Sequence, residues 1–311
     1  MQSFASYHTP VLPDTSLHYL LTDPAGVYID GTLGAGGHSA GLLRRLAPGA
    51  KLFGIDQDDD ALAVATRRIS DARFEAVKGN FGFMETLIHP RYHGKAAGVL
   101  LDLGVSSYQI NEPARGFSFQ EEGPLDMRMG TLSPLTAAQV VNTYSFERLR
   151  TIIYTYGEDR FAPAIARRII DRRPLQTTFD LKRAVEEVVH GPDRVKSLAR
   201  VFQAVRIEVN QELEALRGVL PQVVRLLKPG GRVVVLSYHS LEDRIVKQFF
   251  RAGNDSGRPE KDFYGNVLRP LEPVFNKPVK ATPAEIQQNP RARSVRLRAA
   301  TRTDQPQQGA S

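Results

Sequence analysis

Short apolar runs alternate with segments of helical period along the first third of the chain. Val27-Tyr28-Ile29 reads as a strand that ends at Asp30, and Ser39 to Leu46 as a helix stopped by Pro48-Gly49. Lys51 to Ile55 is a second strand, ending at Asp56, and Asp59 to Ile69 is a helix. Phe74 to Val77 and Val99-Leu100-Leu101 give a third and a fourth strand, the latter ending at Asp102. Strands separated by helices need crossover connections, which build a parallel sheet with right-handed topology.

The pattern then changes. Residues 108–130 read as loop, with Gly116, Gly123, Pro124 and Gly130. From Ser133 to about Arg217 only helical signals follow. Ser133-Pro134 reads as a cap with proline at the first helical position, and Ser145 and Thr178 as caps of later helices. Leu198 to Leu216 reads as one long amphipathic segment. Alternation resumes with a helix from Leu216 to Leu227, broken by Lys228-Pro229-Gly230-Gly231. A strongly apolar strand from Arg232 to Leu236 and a helix from Leu241 to Phe250 come next. The remainder is proline-rich and irregular until Ser294 to Ala299. The predicted fold is α/β: a Rossmann-like sheet domain made of residues 1–110 and 212–300, an all-helical insertion at 111–211, and a disordered tail at 301–311.

Composition narrows the chemistry. The 311 residues include no cysteine, which excludes disulfides, cysteine-ligated zinc, iron–sulfur clusters and a cysteine nucleophile. No run of 18 uncharged apolar residues is present, and Met1 to Leu12 lacks the basic and apolar pattern of a secretory signal. A cytoplasmic protein without a membrane partner is expected. Net charge is +7, unevenly spread. Residues 1–110 hold nine Lys/Arg against eleven Asp/Glu, residues 160–206 eleven against five, and 291–302 five arginines and no acid. Such localised excess points to a polyanion-binding face. The candidates are the pairs Arg167-Arg168 and Arg172-Arg173 in the insertion, with Arg291 and Arg293 near the C-terminus.

The sharpest local motif is Asp30-Gly31-Thr32-Leu33-Gly34-Ala35-Gly36-Gly37-His38, between a strand and a helix. Gly34, Gly36 and Gly37 would let backbone approach a ligand closely, and a helix N-terminus would offer N–H groups to a carboxylate. A nicotinamide-dinucleotide fingerprint would put its third glycine at position 39, which is Ser39. An acid four residues before Gly34 suits instead a cofactor carrying an ammonium group, as S-adenosyl-L-methionine does. Asp56, about twenty residues on, can accept both ribose hydroxyls of either cofactor, or cap the helix that follows it. Asp102 ends the fourth strand, where open α/β sheets carry their ligand crevice. With no cysteine to attack a pyrimidine ring, a methyl acceptor has to be an amine or hydroxyl of the substrate. His89 and His93 have the spacing of a metal pair, but Pro90 and Gly94 argue against a helix, and no metal site is expected.

Nine ordered motifs then carry a resemblance. They are His8-Thr9-Pro10-Val11-Leu12, Asp30–His38, Leu101–Ser107, Arg115-Gly116-Phe117-Ser118-Phe119, Gly123–Arg128, Phe202–Ile207, Asn210-Gln211-Glu212-Leu213, Ser237–Arg244 and Asn289–Ser294. Across residues 7–298 the chain resembles the bacterial 16S ribosomal RNA (cytosine-N4)-methyltransferases. The resemblance implies a class I methyltransferase sheet and N4 methylation of a decoding-region cytidine, in 16S rRNA or the small ribosomal subunit. It implies that Gly36, Gly37, His38, Asp56, Phe81, Asp102 and Gln109 contact S-adenosyl-L-methionine, beside Asp30 and Gly34 from the glycine turn. Asp102, Ser106 and Ser107 are catalytic candidates by position, since Asp102-Leu103-Gly104-Val105 lacks the proline and aromatic of the usual amine-holding loop. Tyr238 and His239, after the fifth strand, are candidates to face the target base. Asp243 is expected in a helix cap, Gly116–Phe119 either against a base or in the core, and a homodimer is compatible with the chain.

Overall fold

The computed structural model describes residues 10–130, 133–254, 256–265 and 267–304. The chain divides into two compact units, residues 1–104 with 213–311 and residues 105–212. His8 and Thr9 of the first motif, and the stretch 305–311 expected to be disordered, lie outside the described residues.

The first unit is a seven-stranded sheet. Its strands are β1 (Val27–Asp30), β2 (Lys51–Asp56), β3 (Phe74–Lys78), β4 (Ala96–Asp102), β5 (Leu227–Ser237), β6 (Leu271–Pro273) and β7 (Arg296–Arg302). Their order is β3-β2-β1-β4-β5-β7-β6. Neighbours from β3 through β5 pair in parallel, while β7 runs antiparallel to both β5 and β6. This is the Rossmann-like α/β sheet that the alternation predicts, and its strand order reverses between β1 and β4. The buried strands are nearly continuous in apolar residues, as strands covered on both faces require: residues 96–101 of β4 are all buried. Two apolar clusters line the faces, one around Ile29, Val99, Leu220 and Phe249, the other around Leu17, Tyr28, Leu52 and Leu297.

Two differences trace to local chemistry. The Lys228–Gly231 turn is absorbed into β5: the pairing with β4 jumps from Ala96↔Leu227 to Gly98↔Arg232, and the extra residues form a bulge. β7 continues to Arg302, past the point where a disordered tail was expected, because Thr301 and Arg302 pair with β5 and β6.

The second unit is helical, with helices Ala137–Thr143, Phe146–Gly157, Ala162–Asp171, Thr178–Glu186 and Arg194–Asn210 around their own core. Ser145 caps its helix as read, accepting from Arg148 N at 3.3 Å. Thr177 rather than Thr178 caps the helix it precedes, and Thr136 rather than Ser133 caps the first. Ser133 instead donates to the Val209 carbonyl at 3.1 Å. The long segment at 198–216 breaks at Gln211, whose left-handed φ of 50° ends Arg194–Asn210. A new helix then starts at Glu212. The Arg115–Phe119 and Gly123–Arg128 motifs build a loop clasp in this unit. Arg115 donates to the carbonyls of Arg128 and Met129, and Asn210 bonds both Met129 N and Met127 O at 2.8 Å. Phe117 is buried in the helical core and Phe119 meets Phe202 edge-on at 5.3 Å, which settles burial over exposure for that motif.

Candidate active site

Parallel register brings three carboxylates to one edge of the sheet. Asp30 is level with Gly54 of β2 and Leu100 of β4, so Asp56 and Asp102 stand two residues beyond it on either side. Two residues of strand span about 6.6 Å. Asp30 therefore forms a floor between two acidic walls, at the position where the strand order reverses and such sheets open a crevice.

Asp30 is buried. Its carboxylate accepts from Ser39 Oγ at 2.7 Å and from Thr32 N at 3.2 Å, and burial pushes its pKa up. Ser39, which breaks the dinucleotide fingerprint, thus has a structural duty. Asp56 accepts from Gly34 N at 2.8 Å on one oxygen and from Asp58 N at 2.9 Å on the other. Burial raises its pKa to about 6. The cap of the following helix is Asp58, which accepts from Asp60 N, so Asp56 does not cap. Among the described residues each Asp56 oxygen accepts one hydrogen bond, which leaves each one acceptor position.

The glycines divide by role. A Cβ on Gly34 would meet nothing within 4 Å, so that direction is open. At Gly36, where φ is 74°, a Cβ would lie 2.8 Å from Ile69 Cδ1 and 3.3 Å from Ala65 Cβ; at Gly37 it would lie 3.2 Å from the Pro10 ring. Close packing inside the protein therefore already demands glycine at 36 and leaves little room at 37, which corrects a reading of all three as ligand clearance. The helix Gly37–Leu43 starts without a side-chain cap.

On the β4 side, Thr32 Oγ1 accepts from Asp102 N at 2.6 Å. Tyr238, following β5, donates its hydroxyl to Asp102 Oδ1 at 2.7 Å. His38 Nε2 stands 3.4 Å from Asp102 Oδ2, and both ring nitrogens of this buried histidine lack a hydrogen-bond partner among the described residues. Burial disfavours the imidazolium, but the adjacent Asp102 carboxylate, with the charge of Asp30, outweighs it and raises the His38 pKa. Burial, reinforced by Asp102, drives the Tyr238 phenol well above its ordinary value. Glu242 anchors the turn, accepting from Tyr238 N at 2.8 Å and His239 N at 3.3 Å, with His239 Nε2 3.2 Å away. Asp243, expected in the cap, is instead salt-bridged to Arg298 at 2.6 Å and Arg296 at 3.2 Å.

Phe81 opens a short 3₁₀ turn after β3 and packs, partly buried, against the sheet cluster. Ser106, Ser107 and Gln109 belong to the helical unit. There Ser106 and Gln109 form a reciprocal cap, Gln109 N donating to Ser106 Oγ at 3.2 Å and Ser106 N to Gln109 Oε1 at 2.9 Å. Ser107 begins that helix, its side chain outside the described ones.

The arginines are redistributed. Arg168 and Arg172 both pair with Glu187, and Arg173 donates to the carbonyls of Val141 and Tyr144. Arg167 is exposed and lies over the Phe146 ring, 4.6 Å from its centroid. Near the C-terminus Arg293 is exposed, whereas Arg291 is partly buried, and burial lowers its pKa against the opposing charge of Asp102. Arg302 donates to the carbonyls of Val224 and Pro270. Arg296 and Arg298 thus hold Asp243, and Arg302 the Val224 and Pro270 carbonyls. His89 caps a turn by accepting from Arg91 N at 3.2 Å, and His93 Nε2 sits 2.9 Å from the Ile88 carbonyl.

A family model described as the MraW methylase family matches residues 5–303. The chain belongs to the MraW methylase family. A ribosomal RNA small subunit methyltransferase H of Amoebophilus asiaticus (strain 5a2) is 48% identical over 302 residues, covering 96% of this chain and 97% of the relative. Proteins of the same name from Flavobacterium johnsoniae and Phocaeicola vulgatus are each 45% identical, covering 96% and 94% of this chain and 99% and 97% of the relatives. The family model thus reaches from Ala5 to Thr303 and takes in both units.

Proposed function

We propose that the chain transfers a methyl group from S-adenosyl-L-methionine to the exocyclic N4 amine of a cytidine in the decoding region of 16S rRNA, in the bacterial cytoplasm. The observation that carries this is the array of Asp30, Asp56 and Asp102 on three adjacent parallel strands around a glycine turn, in a chain of a methylase family. The residues fit the cofactor. Asp56 has one free acceptor position per oxygen for ribose hydroxyls, Gly34 leaves an open approach, and the acidic floor at Asp30 suits an ammonium group. We assign the adenine to the Phe81 ring, an aromatic following β3. Once bound, the sulfonium supplies an electrophilic methyl and a neutral thioether leaving group.

The protein's work is alignment. Tyr238 holds Asp102 Oδ1, which leaves Oδ2 to accept from the amine and aim its lone pair. The amine loses its proton only as the N–C bond forms, so a carboxylate is base enough. Asp102 Oδ2, with His38 Nε2 behind it, can receive that proton. Tyr238 and His239 are carried on a turn locked by Glu242, which gives the target base a fixed wall. Exposed Arg167 and Arg293 contribute cations for phosphates. Transfer of a labelled methyl from S-adenosyl-L-methionine to small-subunit RNA tests the reading. Binding of a nicotinamide dinucleotide in place of S-adenosyl-L-methionine, measured by titration calorimetry, would refute it.

A further inference from the structure

Between the helix Ser240–Ala252 and β6, residues 260–265 and 267–268 pair as the arms of a small hairpin. Lys261 bridges Val267 antiparallel, and Leu268 N donates to the Glu260 carbonyl at 2.8 Å. The turn is closed by Gly265 N on the Asp262 carbonyl at 3.0 Å and by Tyr264 N on Asp262 Oδ1 at 2.9 Å. At its tip Phe263 is 97% exposed and Tyr264 86% exposed, their rings edge-on with centroids 5.6 Å apart. Among the described residues the next most exposed large apolar side chain, Tyr154, reaches only 67%.

Two aromatic rings held in water by a hydrogen-bonded turn are unfavourable in the isolated protein, because either ring could bury well over 100 Å². Adjacent exposed rings of this kind mark a binding surface. The surrounding charge selects the partner. Residues 244–280 hold eight Lys/Arg against four Asp/Glu. Lys247, Arg251, Arg258 and Lys261 are all exposed. A Cβ on Gly257 would lie 3.7 Å from Gln248, which places Arg258 beside the helix that bears Lys247 and Arg251. Aromatic faces amid cations are the chemistry that binds unpaired nucleotides, with bases stacked on rings and phosphates on cations.

We propose that Phe263 and Tyr264 are a stacking platform for unpaired RNA bases, flanked by Lys247, Arg251, Arg258 and Lys261 as phosphate contacts. The assignment rests on the RNA substrate proposed above and moves part of the RNA grip to this hairpin, since Arg296 and Arg298 hold Asp243 and Arg302 the Val224 and Pro270 carbonyls.

The chain has no tryptophan, so Tyr264→Trp places a single reporter at the tip of the full-length protein. Its fluorescence is expected to be quenched by a single-stranded oligoadenylate and far less by an abasic oligomer of equal length and charge. Phe263→Ala/Tyr264→Ala should raise KM for small-subunit RNA at least tenfold, with kcat and S-adenosyl-L-methionine affinity unchanged. Equal quenching by the abasic oligomer would reduce the site to charge alone and overturn the proposal. So would a response to anionic vesicles with none to RNA, or an unaltered KM in the double variant. If the wild-type chain failed to methylate RNA, the enzymatic reading would fall, and the quenching comparison, which needs no catalysis, would still decide the platform.

Discussion

Replacing Asp102 by asparagine removes one charge and keeps an oxygen for the Tyr238 hydroxyl, so it isolates the electrostatic coupling to His38. At the observed 3.4 Å the attraction between imidazolium and carboxylate is about 5 kcal/mol for an effective dielectric of about 20, an upper bound before desolvation. His38 is buried, and what holds its pKa up is chiefly Asp102. In Asp102→Asn burial dominates and the pKa falls. A raised histidine pKa contributes stability that is complete below the unfolded value of about 6.5 and is lost as pH rises through the folded value. The variant is therefore destabilised most at pH 5, by about 1–5 kcal/mol, and markedly less at pH 8.5. Ring-carbon NMR titration of His38, with urea unfolding at both pH values, measures this. An unchanged His38 titration, or an equal loss of stability at the two pH values, would refute the coupling.

Asp56→Ala should weaken S-adenosyl-L-methionine binding by about 1–3 kcal/mol in calorimetry, the usual cost of stranding polar partners. Gly36→Ala should lower stability by about 1–3 kcal/mol in chemical denaturation, because a Cβ meets Ile69 at a φ of 74°; Gly34→Ala has open space and should cost less stability while impairing cofactor binding. Asp243→Ala strands buried Arg298 and should cost about 3–5 kcal/mol in thermal or urea unfolding. Arg167→Glu should raise KM for RNA without changing melting temperature, whereas Arg173→Ala, which frees the Val141 and Tyr144 carbonyls, should lower melting temperature.

The sheet was legible because its signals are local. Each of β1, β2 and β4 is an apolar run ending in aspartate, so the period of the sequence places Asp30, Asp56 and Asp102 before any contact is known. Pairings distant in sequence were not legible. Arg298 and Asp243 lie 55 residues apart, and Arg172 and Glu187 lie 15 apart, so a run of arginines looks like a cationic face until its acids are found. The break at Gln211 was hidden because the apolar period continues through it and only the left-handed backbone reveals it. Ser39 and Thr32 flank the glycines and hold Asp30 and Asp102, a role that their hydroxyls beside a strand-end acid could have suggested. The Phe263-Tyr264 tip escaped notice because its segment has no period, and exposure cannot be read from composition.

On this reading the acidic strand edge serves methyl transfer to a cytidine amine. Mass mapping of nucleosides in 16S rRNA, from cells lacking this chain and from the same cells supplied with the wild type or with Asp56→Ala, tests it most directly. N4-methylated cytidine in the decoding region should disappear without the chain, return with the wild type and return weakly or not at all with Asp56→Ala. An identical methylation map in all three strains would contradict the account.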